Sequence, residues 1–228
     1  MEDIITLRAS FLIDRALTGL SMDFDKAVSL VRNFNTDLTE REKRERVIVL
    51  AAIDNLIDFA VAQETAMLND INENADISRA EDCERVFERY NLHYAEQEDS
   101  QVAYASMMAA WWLMVPDDNL ITFMTQGDER VRAWHLSYEG LSYRKADFPP
   151  ELIPPIEWGC RCYLVTDNAG LVRSEIMPTQ RNIQCNPIFS ESLAKGGRIF
   201  TGEHPYFNVK LPPEAVGIRN ILKSRFGL

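Results

Sequence analysis

TQGDERVRAWHLSYEG at residues 125–140 and PPIEWGCRCYLV at residues 154–165 are the stretches that hold the most reactive side chains of this 228-residue chain. The first brings acids, arginines and a histidine within a few positions of one another. The second sets two cysteines one residue apart, behind a tryptophan. Such side chains serve as catalytic groups, as metal ligands or as the polar frame of a small domain.

The first stretch has two interpretations. If it opens a helix, Asp128 can act as the N-cap residue and pair with Arg132 four positions later, which makes an ordinary capped helix with solvated charges. In the catalytic alternative, His135 is a general base that Asp128 or Glu139 orients. The chain has neither a G-x-S-x-G nucleophile motif nor a glycine-rich phosphate loop, so the structural interpretation is favoured.

The second stretch predicts an extended strand in which Cys160 and Cys162 face one side and Arg161 faces the other. Two thiolates on one side can bind Zn²⁺ when a suitable third or fourth ligand joins them. The further ligands considered are His135, Cys185 and His204. Against zinc, the C-x-C spacing is tighter than in common structural zinc sites, and small cysteines are ordinary core residues.

Charge is distributed unevenly along the chain. The net charge is −11, and residues 1–115 hold 22 acids and 11 bases, whereas residues 116–228 hold 13 of each. An acidic half repels the phosphate backbone, so direct sequence-specific nucleic-acid binding is not expected. It suits a solvated helical surface or a basic protein partner.

The first half has the apolar periodicity of helices. The predicted helices cover residues 5–31 with a break at 18–23, residues 41–71, a segment from about 78, and residues 96–115. Thr39 with Glu42, and Ser78 with Glu81, have the spacing of a capping box. The last of these helices is rich in methionine and tryptophan, which is more typical of a core than of a partner-binding groove.

No membrane span and no secretion signal are expected. The longest uncharged apolar run, residues 103–115, has 13 residues, whereas a span needs about 18. The first residues are acidic and lack the basic-then-apolar order of a signal peptide. We therefore expect a cytoplasmic protein whose cysteines are reduced.

The amino-acid composition changes after Val115, since all ten prolines lie in residues 116–228. Turn signals become frequent, and strands are predicted at residues 120–125, 160–166, 171–177 and 198–201. The predicted fold class is α+β, with a helical N-terminal region at 1–93 and a small loop-rich α+β domain at 94–228. That domain ends in an arm pinned by Phe200, Tyr206 and Phe207 and in a basic amphipathic helix.

Taken in order, three motifs resemble the family of phage Mu F-like minor head proteins, in its Bacteroidetes-type form. The first motif comprises Thr125, Gly127, Asp128, Arg130, Val131, Arg132, His135 and Gly140. The second comprises Pro154, Pro155, Trp158, Cys160, Arg161 and Cys162. The third comprises Asn186, Pro187, Gly197, Phe200, His204, Pro205, Tyr206 and Phe207. The resemblance covers about half the chain and differs from the family pattern at Gly159, where an asparagine is common.

The resemblance implies a structural component that acts in head morphogenesis near the portal and in DNA packaging or delivery. Its partners would be other phage head proteins, such as portal or scaffold, and it would itself form oligomers. It would be found in the host bacterial cytoplasm during assembly and then in the virion head. Catalytic residues are not expected.

The resemblance also implies that the motif residues are structural. Asp128, Arg130, Arg132 and His135 are expected to form a buried polar network that bridges to the cysteine segment. The other residues assigned to this motif are Gly140, Trp158, Cys160, Arg161 and Cys162.

Two alternatives stay open. One is a metal-assisted hydrolase or nuclease that uses His135 with Cys160 and Cys162. The other is a free-standing adaptor that zinc stabilises. The hypothetical zinc ligands are His135, Cys160, Cys162 and Cys185.

Overall fold

A computed structural model describes residues 1–32, 37–166 and 183–228. The helices are α1 (Glu2–Gly19), α2 (Phe24–Arg32), α3 (Glu40–Asn74), α4 (Ala80–Glu88), α5 (Ala95–Met114), α6 (Ala133–Leu136) and α7 (Pro213–Arg225), with a π-helical turn (Arg89–Tyr94) between α4 and α5. The strands of the described residues are β1 (Leu120–Met124), β2 (Ser142–Arg144) and β3 (Tyr163–Thr166). The α+β prediction is confirmed. The strand predicted at 171–177 lies outside the described residues.

The long helix α3 begins where the sequence predicts. Thr39 and Glu42 form the expected capping box: the Thr39 N–H donates to Glu42 Oε2 at 2.8 Å, and the Glu42 N–H donates to Thr39 Oγ1 at 3.3 Å. The second predicted box is wrong. The N–H and hydroxyl of Ser78 both donate to Asp76 Oδ1, and α4 starts only at Ala80.

Helices α1 and α5 both pack against α3, and they cross each other closely at Gly19. A Cβ atom at Gly19 would lie 2.7 Å from the Ser106 Cβ and 2.9 Å from the Ala103 carbonyl oxygen. Both distances are shorter than van der Waals contact, so only glycine permits this approach. The same contact buries Ser106 completely.

A polar network lies buried where α1, α3 and α5 meet. Arg8 Nε donates to Gln63 Oε1 at 2.7 Å, and Gln63 Nε2 donates to Glu98 Oε2 at 2.8 Å. The Arg8 guanidinium also pairs with Asp99 at 2.8 Å. Burial raises the pKa of Glu98 to about 7, although the nearby Tyr206 and Arg8 favour its charged form. The network therefore joins three helices through groups that are costly to leave unpaired.

The buried core continues from the helices into the loop-rich half of the chain. Trp112 of α5 packs edge-on against Phe148, and the Lys145 ammonium donates to the Val115 carbonyl at 2.6 Å. The predicted boundary at residues 93/94 falls within the π-helical turn that precedes α5. The division into two domains stays a prediction.

The described strands form an antiparallel sheet in the order β2-β1-β3. Phe123 of β1 pairs with Leu164 of β3, and both side chains are buried. The strand predicted at 160–166 is formed only from Tyr163 onward. Residues 198–201, also predicted as a strand, lie outside the sheet of the described residues because a side chain of α3 takes their backbone hydrogen bonds.

That side chain is Asn55, which is 2% exposed. Its Oδ1 accepts the N–H groups of Ile199 at 2.9 Å and Phe200 at 3.0 Å, and its Nδ2 donates to the Phe200 carbonyl at 2.8 Å. The Phe200 ring stacks on Phe59 of α3 with 4.4 Å between ring centroids. The C-terminal segment is therefore an arm bound along α3.

Helix α7 completes the contact between this arm and α3. Ala215, Ile218 and Leu222 are its buried residues. Lys223 pairs with Asp54 at 2.7 Å and with Asp58 at 2.8 Å. The C-terminal helix that the sequence predicts as basic and amphipathic thus buries its apolar residues and pairs Lys223 with two acids of α3 in the same chain.

Replacing Asn55 by alanine is expected to lower the free energy of unfolding by about 3 kcal/mol, because two buried backbone N–H groups would lose their acceptor. Urea denaturation followed by circular dichroism measures this. Asn74→Ala is the matched control: its exposed amide bonds Asp70 within α3, so a change within about 0.5 kcal/mol is expected. Equal effects of the two substitutions would contradict the role given to Asn55.

Glu64 on α3 makes stability depend on pH. It is 1% exposed, its Oε2 has no hydrogen-bond partner among the described residues, and burial raises its pKa to about 7. The folded state therefore keeps a proton that the unfolded state releases above about pH 4.5. Its contribution to stability falls as the pH rises from about 4.5 through 7.

Glu64→Gln removes this ionisation and should stabilise the protein relative to wild type by an amount that grows by about 2–3 kcal/mol between pH 5 and pH 8. Denaturation curves at the two pH values measure the difference. Glu73→Gln, on an exposed glutamate of the same helix, should show no such growth. A constant difference for Glu64→Gln would mean that this carboxyl is already ionised in the folded protein at pH 5.

Candidate functional site

The two chemically dense stretches meet at a buried cluster of His135, Cys160 and Cys162. His135 Nδ1 lies 3.2 Å from Cys162 Sγ and 4.0 Å from Cys160 Sγ. The three side chains are 2%, 5% and 3% exposed, respectively. Their potential ligand atoms all lie within 4.8 Å of one another. The structure thus joins residues that are about 25 positions apart in the sequence.

Helix α6 places the histidine. It is a single turn of four residues between β1 and β2, and the His135 N–H donates to the Arg132 carbonyl. The Trp134 ring packs edge-on at 4.0 Å from the imidazole. The Nε2 atom is buried and has no hydrogen-bond partner among the described residues. Nδ1 is therefore the nitrogen available for chemistry with the thiols.

A turn just before β3 places the cysteines. Gly159 has φ +64°, a conformation that favours glycine, and the Cys160 N–H donates to the Glu157 carbonyl at 3.1 Å. The Tyr104 hydroxyl of α5 donates to the Cys162 carbonyl. The Arg161 side chain is 38% exposed, so the predicted division of faces is confirmed although the strand starts later than expected.

The two thiols of the cluster differ in pKa. The hydrogen bond from Cys162 lowers the pKa of Cys160, and His135 lowers it further, although burial opposes both effects. The same hydrogen bond and burial raise the pKa of Cys162. Without a metal, Cys160 is therefore the more acidic of the two thiols, and the thiolate is the form that binds metals.

The predicted buried network of charged motif residues is wrong. Asp128 is 43% exposed and makes a bidentate pair with Arg161 at 2.6 and 2.8 Å, and Arg132 donates to the Trp158 carbonyl at 2.7 Å. Asp128 and Arg132 thus bridge to the cysteine segment from the surface. Among the four residues Asp128, Arg130, Arg132 and His135, only His135 is buried.

The predicted cap and the pair between Asp128 and Arg132 are also wrong, because the helix is much shorter than expected. Asp128 Oδ1 accepts the backbone N–H of Arg130 at 3.1 Å, and the Val131 N–H donates to the Asp128 carbonyl. These bonds close a turn at residues 128–131, so α6 starts only at Ala133. The turn leaves the Asp128 carboxylate for Arg161.

The acids expected to orient His135 have other partners. Asp128 binds Arg161, and Glu139 accepts a hydrogen bond from the Thr125 hydroxyl. The structure therefore lacks, within its described residues, the carboxylate–imidazole pair of the general-base hypothesis.

Gly140 turns the chain from α6 into β2 with φ +81°, and its N–H donates to the Phe123 carbonyl at 2.9 Å.

Two further residues considered as zinc ligands do not join the cluster. Cys185 is half-buried, and burial raises its pKa to about 11, with Glu151 and Glu157 adding to the shift. His204 packs 5.0 Å edge-on to Phe59, and its Nδ1 accepts the Tyr206 N–H at 3.3 Å. Burial lowers the His204 pKa to about 4.

The cavity beside this cluster is much smaller than a cleft elsewhere in the described residues. Beside the cluster, a cavity of about 10 Å³ is lined by residues that include Gln126, Arg130 and Arg132. A cleft of about 660 Å³ lies where α3, α5 and residues 194–196 meet, with Lys43, Arg44, Trp112, Lys145 and Lys195 on its walls. Sequence patterns did not reveal this basic cleft, because its residues come from distant segments and share no spacing.

Comparison of the chain with protein-family models, curated proteins and solved structures gave no match. Among the helices of the described residues, none has both the length and the apolar character that a bilayer crossing requires.

Because the Asp128–Arg161 pair lies at the surface, we expect it to contribute little to the stability of the fold, and salt should weaken that contribution. Asp128→Ala and Arg161→Ala should each lower the melting temperature by no more than about 3 °C. The double variant should differ little from either single one, and 1 M NaCl should remove most of the effect. Differential scanning calorimetry measures these shifts.

Glu129→Ala is the control for this pair, since it removes the same charge from the same turn without a bond to Arg161. A drop of about 10 °C for Asp128→Ala that persists in 1 M NaCl would instead indicate the buried network that the sequence suggested.

Proposed function

We propose that this chain is a minor capsid protein of a phage or prophage that acts in head morphogenesis, near the portal, and in DNA packaging or delivery. The proposal rests on the resemblance to phage Mu F-like minor head proteins. The observation that supports it best is that the three motifs of the resemblance, which are separate in sequence, form one continuous set of contacts.

The first and second motifs are bonded at three points. Asp128 pairs with Arg161, Arg132 donates to the Trp158 carbonyl, and His135 contacts Cys162. Each bond joins two motif residues. Motif side chains that bind one another in this way are expected to maintain a fold, which is the role of a structural component.

The third motif joins through aromatic contacts. The Trp158 ring lies 5.8 Å from His204 and 5.9 Å from Phe200, and both of these pack on Phe59 of α3. Pairs at this distance and geometry stabilise a core beyond the area they bury. The resemblance thus involves residues that together attach the loop-rich part of the chain to the helices.

The hydrolase or nuclease alternative has less support. The cavity beside His135 and the cysteines is about 10 Å³, enough for about one water molecule. The acids that would orient His135 have other partners. A binding site for a drug-sized substrate would occupy about 300 Å³ or more.

Three apolar side chains of α1 are exposed. Ile4, Leu7 and Phe11 are 38%, 73% and 48% exposed. Their spacing of three and four puts them on one face of the helix. We propose that this face, in the acidic half of the chain, contacts the portal or a scaffold protein in the host cytoplasm and stays bound in the virion head.

Quantitative mass spectrometry of purified particles tests this function. In a host that carries the gene with its phage, the chain should co-purify with the portal and major capsid proteins at a constant ratio, well below that of the capsid protein. Particles that contain portal and capsid proteins but lack this chain would overturn the proposal.

Variants identify the surface involved. In a deletion strain that expresses Leu7→Glu, less of the chain should enter particles. Lys43→Glu, an exposed change on another helix, serves as the matched control. Unchanged melting temperatures of both purified variants would show that the loss reflects a contact and not unfolding.

A further inference from the structure

We infer that His135, Cys160 and Cys162 bind one zinc ion, with Nδ1 and the two Sγ atoms as ligands, and that this ion links α6 to the turn before β3. The inference does not depend on the proposed function. It narrows the zinc hypothesis, because Cys185 and His204 lie outside the cluster.

The geometry fits a tetrahedral ion. Zinc–sulfur bonds of about 2.3 Å and a zinc–nitrogen bond of about 2.0 Å place nitrogen and sulfur about 3.5 Å apart at the tetrahedral angle. The distances from His135 Nδ1 are 3.2 Å to Cys162 Sγ and 4.0 Å to Cys160 Sγ, on either side of this value. The two Sγ atoms lie within 4.8 Å of each other, and the corresponding tetrahedral separation is about 3.8 Å.

The charge balance also fits. Two thiolates and a neutral imidazole cancel the two positive charges of the ion, so the buried cluster carries no net charge. This matters because His135, Cys160 and Cys162 are each at most 5% exposed, and an uncompensated charge there would be costly. Thiolate and imidazole ligands also favour zinc over magnesium and calcium, which prefer oxygen ligands.

Water is the expected fourth ligand. The cavity that His135 and Cys162 line has room for about one water molecule. Among the described residues, no fourth histidine, cysteine or carboxylate belongs to the cluster. The small cavity limits access to the ion, so we assign it a role in stability.

The ion would supply what the surface bonds between these segments do not. Asp128–Arg161 and Arg132–Trp158 are exposed contacts that water and salt weaken. Metal–ligand bonds inside the core would hold α6 and the cysteine turn together independently of salt. It also explains why a histidine and two thiols occupy a position that apolar residues would fill at lower cost.

Metal analysis of the full chain tests the inference. Protein purified without chelators should contain about one zinc per chain by plasma mass spectrometry. After removal of zinc, one equivalent of Co²⁺ should produce the visible d–d bands and the near-ultraviolet thiolate-to-cobalt absorption of a site with sulfur ligands. Chelation should lower the melting temperature by at least about 5 °C, and added zinc should restore it.

Variants locate the ligands. Cys162→Ser and His135→Gln should reduce zinc content at least tenfold, whereas Cys83→Ser and Cys185→Ser should retain one equivalent and the cobalt spectrum. The measurements on wild-type protein hold even if the ligand variants fail to fold. Less than about 0.2 equivalents of zinc in wild-type protein, with no cobalt bands, would overturn the inference and leave a hydrogen-bonded thiol–imidazole cluster. Loss of the cobalt bands in Cys185→Ser would equally overturn the ligand assignment.

Discussion

The architecture depends on one buried amide. Asn55 lies in the middle of α3, where water cannot satisfy it, and its hydrogen bonds are made by the backbone of residues 199 and 200. The arm must therefore run along α3 in one register, since a shift would leave donors and acceptors unpaired. This register places Phe200 on Phe59 and brings His204 beside Trp158. The position of the second motif thus follows from a contact made by the helical half.

The motif residues divide into two physical classes. The charged ones lie at the surface and act as bridges whose strength solvent limits, whereas the histidine and the cysteines are buried. The zinc ion that we propose for the buried residues links α6 to the turn before β3 more strongly than the surface bridges do.

Buried polar and charged groups are also found outside the motifs. Arg8, Gln63 and Glu98 join α1, α3 and α5, and Glu64 lies beside them. Such groups contribute less to stability than apolar residues of the same size, but they permit few alternative packings. The helical half therefore combines an acidic surface with a few buried polar contacts inside an apolar core, and its charged residues have a structural as well as a surface role.

The amino-acid sequence predicts the α+β class, the long helices, the capping box at Thr39 and the change of composition after Val115, because these depend on local periodicity and local hydrogen bonds. It also identified His135, Cys160 and Cys162 as chemically important. Three outcomes become visible only in the folded chain: residues 199 and 200 bind Asn55 instead of a strand, Asp128 pairs with Arg161 instead of Arg132, and Cys185 lies outside the cluster. Each of these outcomes depends on partners many residues away, which compete with the local pattern and leave no mark in its spacing.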